Sequence, residues 1–187
     1  MSRLSDLINE KCPNGVKFRK IGDVAKVLRG VRVVRSQLNI SGDIPVFQNS
    51  LRPLGYHSKS NVEGDITFVI GAGAAGEVGY CNKPFWAADD CYYCIPSDSI
   101  NSRYLYYVIS KNKSYLISRV RRASIPRLSR NVIEELVVPV PPLEVQNEIV
   151  QILDNFAELT AELSNRKKQY SYYHELLFGY AEKGIKA

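Results

Sequence analysis

The spacing of hydrophobic residues changes along this chain, and each change predicts a different element. Near the start, Leu4, Leu7 and Ile8 share one helical face, and the run stops before the turn signal Pro13-Asn14-Gly15. "VKFRKIGDVAKVLRG" then reads as a strand, a turn at Gly22-Asp23, and a further strand or short helix. "DIPVFQNS" and "GDITFVIG" are short apolar runs bounded by Gly and Asp, as short strands are. "GEVGYCNKPFWAADDCYYCIP" continues that pattern with aromatic residues enriched. Helical spacing returns in "NSRYLYYVISKNKSYLISRV", where Leu105, Val108, Ile109 and Leu116 align and Asn101 or Ser102 can cap. "IEELVVPVP" predicts a last strand.

The longest signal follows Pro141-Pro142. Proline suits the first turn of a helix, where its missing N–H would be unpaired anyway. Beyond it, apolar residues recur in 4-3 steps at Val145, Ile149, Ile152, Phe156, Leu159, Leu163, Tyr170, Tyr173 and Leu177. Arg166 holds the one seam position that breaks the run, and no glycine or proline intervenes before Gly179. Residues 143–178 amount to roughly 50 Å of helix, against about 30 Å for the whole preceding domain. A 3.5-residue period sustained this long predicts a coiled-coil seam that packs on another helix. The predicted fold class is therefore α+β. A mixed domain of short strands over residues 1–140 precedes one long helix over 141–180, and residues 181–187 form a tail.

Composition narrows the function classes. The 187 residues are 45% hydrophobic and 24% charged, ordinary for a folded soluble domain. No apolar run is long enough to span a bilayer, and "MSRLSDLINEKCPNG" lacks the apolar centre of a signal peptide, so a cytoplasmic protein without a membrane partner is expected. Cys12, Cys81, Cys91 and Cys94 are too few and scattered for a disulfide scaffold. Cys91 and Cys94 form a C-x-x-C inside a strand-like segment, where positions three apart face opposite sides. With no second pair to complete a tetrahedral site, buried structural thiols are expected and no metal.

Charge is uneven. Residues 1–140 hold 20 Lys and Arg against 12 Asp and Glu, a net +8; residues 141–187 hold 5 against 7, a net −2. A basic body suggests a polyanionic partner. The basic residues cluster in "RVRRASIPRLSRN", with Arg119, Arg121, Arg122, Arg127 and Arg130, and in "KVLRGVRVVRSQLN", with Lys26, Arg29, Arg32 and Arg35. Neither stretch contains an acid. Arginine grips phosphate or guanine edges with a planar fork, and Asn or Gln can read adenine. The candidate DNA-binding residues are Arg29, Arg32, Arg35, Gln37, Asn49, Arg52, Arg121, Arg122, Ser124 and Arg127.

Catalytic sets are missing. "GAGAAG", Gly71 to Gly76, matches G-x-G-x-x-G and follows a strand, but Gly79 and Pro84 follow where a dinucleotide site needs a helix. The two histidines, His57 and His174, lie in unrelated segments. An adenine methyltransferase should carry Asn/Asp-Pro-Pro-aromatic, whereas the only Pro-Pro here is in "VPPL".

"FRKIGDVAKVLRG", "GDITFVIGAGAAGEVGY", "FWAADDCYYCIP" and "IPRLSRNVIEELVVPVPPLEVQNEIVQIL" together resemble the DNA-specificity subunits of type I restriction-modification systems. The P-x-P-P-L-x-x-Q segment before the long helix is the most specific element. The resemblance implies a non-catalytic target recognition domain that reads one half of a split site on double-stranded DNA. It also implies a helix that pairs antiparallel with a second one and acts as a ruler. Methylation and translocation would belong to separate modification and restriction subunits, with S-adenosylmethionine on the modification subunit and no cofactor here. Family members carry two recognition domains, but this sequence has no second P-x-P-P-L-x-x-Q, so it reads as a half-subunit or an N-terminal half. The seam residues Ile149, Ile152, Phe156, Leu159 and Leu163 are then expected to pair with a second copy. Two readings compete: a coiled-coil adaptor with an incidental basic face, and a small nucleotide-binding enzyme using the Gly71–Gly76 loop.

Overall fold

The computed structural model describes residues 3–183, with side chains through Gly179. Helix α1 (Arg3–Lys11) ends where Pro13 and Gly15 make further helix impossible. Strand β1 (Phe18–Lys20), a single helical turn α2 (Ile21–Val24) and strand β2 (Ala25–Arg29) follow without a break. The segment thus contains a strand on each side of the turn expected at Gly22-Asp23.

The core lies between two sheets. The larger has the order β2-β8-β5-β6, all antiparallel, with β5 at Ile66–Ile70, β6 at Val78–Cys81 and β8 at Cys91–Pro96. The smaller has β3 (Ile44–Phe47) between β4 (Gly55–His57) and β7 (Trp86–Ala87). Phe47, Phe68 and Phe85 meet between them with ring centroids 4.6 to 5.6 Å apart. Such tilted and edge-on packing suits the ring quadrupoles. All five residues of β5 are buried because both of its faces are covered. Ile66, Phe68 and Ile70 join the aromatic cluster, while the Thr67 hydroxyl donates 2.7 Å to the Ser102 carbonyl of helix α3 (Ser102–Lys111).

The two cysteines of the C-x-x-C divide between these faces. Cys91 packs in the aromatic cluster, and Cys94 pairs opposite Thr67 on the helix-covered face. Both are fully buried, and burial pushes both thiols up, Cys94 to about 12. They are buried free thiols, as the strand spacing requires.

Helix α3 is capped by Asn101, whose side chain accepts from the amides of Arg103 and Tyr104. The helical stretch expected through residue 120 divides at Asn112, where α4 (Lys113–Ser118) begins. The Asn112 amide donates 2.8 Å to the Val108 carbonyl, a local side-chain bond that competes with the helical ladder. The segment expected as the last strand is split in the same way. Its first residues belong to helix α5 (Arg130–Glu134), and only β9 (Val137–Pro139) is extended, pairing antiparallel with β1.

Helix α6 spans Leu143–Lys183. It passes Gly179, where the unbroken pattern ended, because a single glycine costs a helix only about 1 kcal/mol. Of the tail expected at 181–187, residues 181–183 are helical and 184–187 lie outside the described residues. The chain divides into two units between Glu148 and Ile149, so the first turns of α6 belong to the β-rich unit. The reason is Gln146, a side chain with no solvent exposure. Its carbonyl accepts from the Asn101 amide at 2.8 Å, and its amide donates to the carbonyls of Ser99 and Pro141 at 2.9 and 2.8 Å. In the second unit, Phe156, Leu159, Leu163, Tyr170 and Leu177 are 54 to 71% exposed.

Candidate nucleic-acid interface

Four segments that are separated in sequence meet at one cleft of about 330 Å³. It is lined by Arg29 from the end of β2, by Asp89, Asp90 and Tyr92 around the start of β8, and by Arg119, Arg121 and Arg127 from the segment after α4. Gly71, Ala72, Leu128 and Ser129 complete its wall.

Close backbone approach builds the floor. Gly30 follows Arg29 directly, and a side chain there would meet the carbonyls of Ala88 and Ala87 at 2.2 and 2.3 Å. The Gly30 amide donates to the Cys91 carbonyl and the Val31 amide to that of Ala87, both at 2.9 Å. Gly71 is restricted similarly: a Cβ would fall 2.5 Å from the Tyr92 ring. These contacts fix the backbone on both sides of the Asp89-Asp90 turn.

The Gly71–Gly76 motif has a structural explanation. It connects β5 to β6, and no helix follows it. Five of its six amides, at Gly71, Ala72, Gly73, Ala74 and Gly76, donate to backbone carbonyls, so they do not form an open phosphate cradle. Three of those carbonyls belong to other loops: Gly71 and Ala72 donate to Asp90, Gly73 to Pro126 and Ala74 to Asn49. The Gly71 carbonyl in turn accepts from Leu128. The loop therefore ties the Asn49 segment to the arginine-rich segment.

That arginine-rich segment is a small closed loop. Arg121 and Arg127 exchange backbone hydrogen bonds at 2.8 and 3.1 Å, leaving Arg122, Ala123, Ser124, Ile125 and Pro126 exposed at the tip. Arg119 sits 5.3 Å over the Tyr115 ring, a cation–π contact that holds it beside the cleft. Arg130 is committed to Glu134 at 3.2 Å, one helical turn on.

Of the ten candidate residues, Arg29, Arg121 and Arg127 line the cleft, and Arg122 and Ser124 lie on the loop above its wall. Asn49 is attached to this region through the Gly71–Gly76 loop, and Arg52 lies three residues further on. Arg32, Arg35 and Gln37 are exposed in the segment after β2 but do not line the cleft. The Gln37 side-chain oxygen accepts from the Val34 amide at 2.9 Å, which closes a 3-10 turn at Arg35–Gln37. Arg119, Asp89, Asp90 and Tyr92 line the cleft and were not among the candidates. The Asp-Asp pair directly before a strand was the available signal, but nothing in the local pattern places it beside arginines 30 and 60 residues away.

The sequence profile of the type I restriction modification DNA specificity domain matches residues 13–170. The chain belongs to that family. A Mycoplasma pneumoniae protein provisionally named as a type I specificity subunit is 31% identical over 171 residues, covering 87% of this chain and 47% of its own. A Haemophilus influenzae protein with a similar provisional name is 30% identical over 186 residues, covering 89% and 47%. The chain thus spans about half the length of the curated relatives it matches. The crystal structure of a type I restriction-modification S subunit from M. genitalium superposes with a TM-score of 0.73 at 20% identity, covering 89% of this chain and 47% of that one. The specificity-subunit fold is therefore shared, including an α+β domain followed by a long helix. No helix among the described residues is long and apolar enough to cross a membrane.

Proposed function

We propose that this chain is a DNA-sequence recognition unit of a type I restriction-modification complex, reading one half of a bipartite target on double-stranded DNA. Residues 1–140 act as the recognition domain, and residues 141–180 as the spacer and pairing helix. The observation that carries this reading is the convergence of Arg29, Arg119, Arg121 and Arg127 on one cleft in a chain of this family. Four guanidinium groups against the carboxylates of Asp89 and Asp90 leave this concave surface net positive, a field that favours a polyanion. The chain acts without chemistry of its own in the cytoplasm. A modification subunit carrying S-adenosylmethionine docks on it, and a restriction subunit completes the assembly.

The test is duplex binding measured over a range of salt concentrations, followed by methylation assays with the cognate modification subunit. Each phosphate contact contributes a slope of about −0.9 in log K against log salt. Arg121→Ala/Arg122→Ala should weaken binding and make that slope shallower by up to about 1.8. Site-specific adenine methylation should require both proteins. Methyl transfer by this chain alone, or binding that ignores salt, would overturn the reading.

A further inference from the structure

The arginines of the recognition surface fall into two groups. Arg29 is held: its Nε donates 2.6 Å to the Asp89 carbonyl, from a backbone fixed by the close approach at Gly30. Arg127 is placed through its main chain, which is paired to Arg121, and its Nη1 lies 3.8 Å from the Asp90 carboxylate, an ion-pair approach longer than a hydrogen bond. By contrast, the side chains of Arg32, Arg35, Arg52, Arg121 and Arg122 make no hydrogen bond or ion pair among the described residues.

The two groups suit different ligands. A phosphate diester is a diffuse negative target that a mobile cation satisfies from many directions. A guanine edge presents O6 and N7 in one plane, and it rewards a planar fork already aligned. With Nε occupied, Arg29 keeps its Nη1/Nη2 end for a ligand. The adjacent carboxylates point the same way: Asp89 and Asp90 line the cleft between these arginines and oppose the full charge of a phosphate more than the partial charges of a neutral base edge.

We infer that Arg29 and Arg127, held by the Asp89-Asp90 turn, read guanine bases in the major groove, while the unpartnered Arg32, Arg35 and Arg122 grip phosphates. This rests on the DNA-recognition reading above and assigns its base-reading residues. Asp90 acts as a positioning residue for Arg127.

The experiment is selection from randomised duplex DNA by the chain together with its modification subunit. Affinity is then measured for the selected duplex and for an unrelated duplex across salt concentrations. The wild type should select at least one G·C pair in each half-site. Arg29→Lys and Arg127→Lys keep the charge and lose the fork. Each should randomise one G·C position and cost about 10- to 100-fold on the selected duplex, with binding to the unrelated duplex unchanged. Asp90→Asn should blur the same position as Arg127→Lys. Arg32→Ala and Arg122→Ala should weaken both duplexes equally and leave the motif sharp. The assignment is overturned by a half-site without a G·C pair, or by lysine variants that keep the wild-type motif. Circular dichroism identifies any variant that has not folded, and Arg29→Lys and Arg127→Lys test the idea independently. A wild type that selects no sequence at all defeats the recognition reading itself, whereas a sharp motif indifferent to Arg29 and Arg127 defeats only this inference.

Discussion

Gly30 and Gly71 show how single residues define the cleft. Each lacks a side chain because a backbone carbonyl or an aromatic ring occupies that space, and the charged cleft residues are positioned from the backbone so fixed. The cysteines give a residue-scale prediction. Burial keeps Cys91 and Cys94 protonated, and the thiolate is the reactive form. Native protein treated with iodoacetamide near pH 8 should be modified at the half-buried Cys12 and Cys81, and Cys91 and Cys94 should react only after denaturation. The same shifts carry a sign for stability. A folded pKa raised above the ordinary 9.0 stabilises the fold below about pH 9, and this contribution is lost as pH rises from 9 through the folded values. Peptide mass mapping of the modified sites checks the first claim. Rapid native alkylation of Cys94 would show that its strand opens.

At the scale of elements, the P-x-P-P-L-x-x-Q segment is a junction. The prolines end β9 and open α6, and the buried Gln146 fastens the helix start through two hydrogen bonds to the turn before α3, at Asn101 and Ser99, and a third to the Pro141 carbonyl. The ion pair between Arg3 of α1 and Glu148, at 3.3 Å, adds an exposed contact of little weight. Gln146→Leu keeps the approximate volume but leaves one buried donor and two acceptors without that partner. The expected loss is about 2–4 kcal/mol, measured as a lower denaturation midpoint with an unchanged m-value. Arg3→Ala should change stability by well under 1 kcal/mol. Were Gln146→Leu equally mild, the junction would be held by proline geometry and the burial of Val145 alone.

For the whole molecule, the exposed seam of α6 leads to a prediction about assembly. A single helix has nothing on its own surface to bury Phe156, Leu159 and Leu163, which are 54 to 64% exposed. Two copies pairing antiparallel would cover them and put one recognition domain at each end of the helix pair. Twofold symmetry then makes the half-sites identical and the target an interrupted palindrome. Ile149, Ile152, Phe156, Leu159 and Leu163 contribute ~1.5–3 kcal/mol each before the cost of association, enough for a micromolar or tighter dimer. Arg166, bonded to Glu162 at 2.9 Å, would sit off-centre in such a seam and favour one register. Sedimentation should show a dimer for the wild type and a monomer for Ile152→Asp/Leu159→Asp. A monomeric wild type, or a dimer that survives both aspartates, would remove the helix as the pairing surface and the palindrome with it.

Period and punctuation alone determined the long helix, the strand-rich body and a helix start at Asn101 or Ser102, of which the structure uses Asn101 as the cap, because these depend on residues a few positions apart. The same local logic argued against a dinucleotide site at Gly71–Gly76, which stayed only as a competing reading, and placed Cys91 and Cys94 on opposite faces of one strand. Boundaries were less legible: Asn112 splits a helix, and α5 takes the start of an expected strand, through side-chain and backbone bonds that propensity does not weigh. The cleft was not legible at all. Sequence marked arginines by their clustering, but clustering cannot separate Arg29 and Arg127, which a distant Asp-Asp turn holds, from neighbours of the same type that nothing holds. That distinction depends on β2 and β8 pairing, and on Gly30 and Gly71 admitting the chain between them. It arises only when segments 60 and 37 residues apart in sequence are brought side by side, which is a property of the tertiary fold.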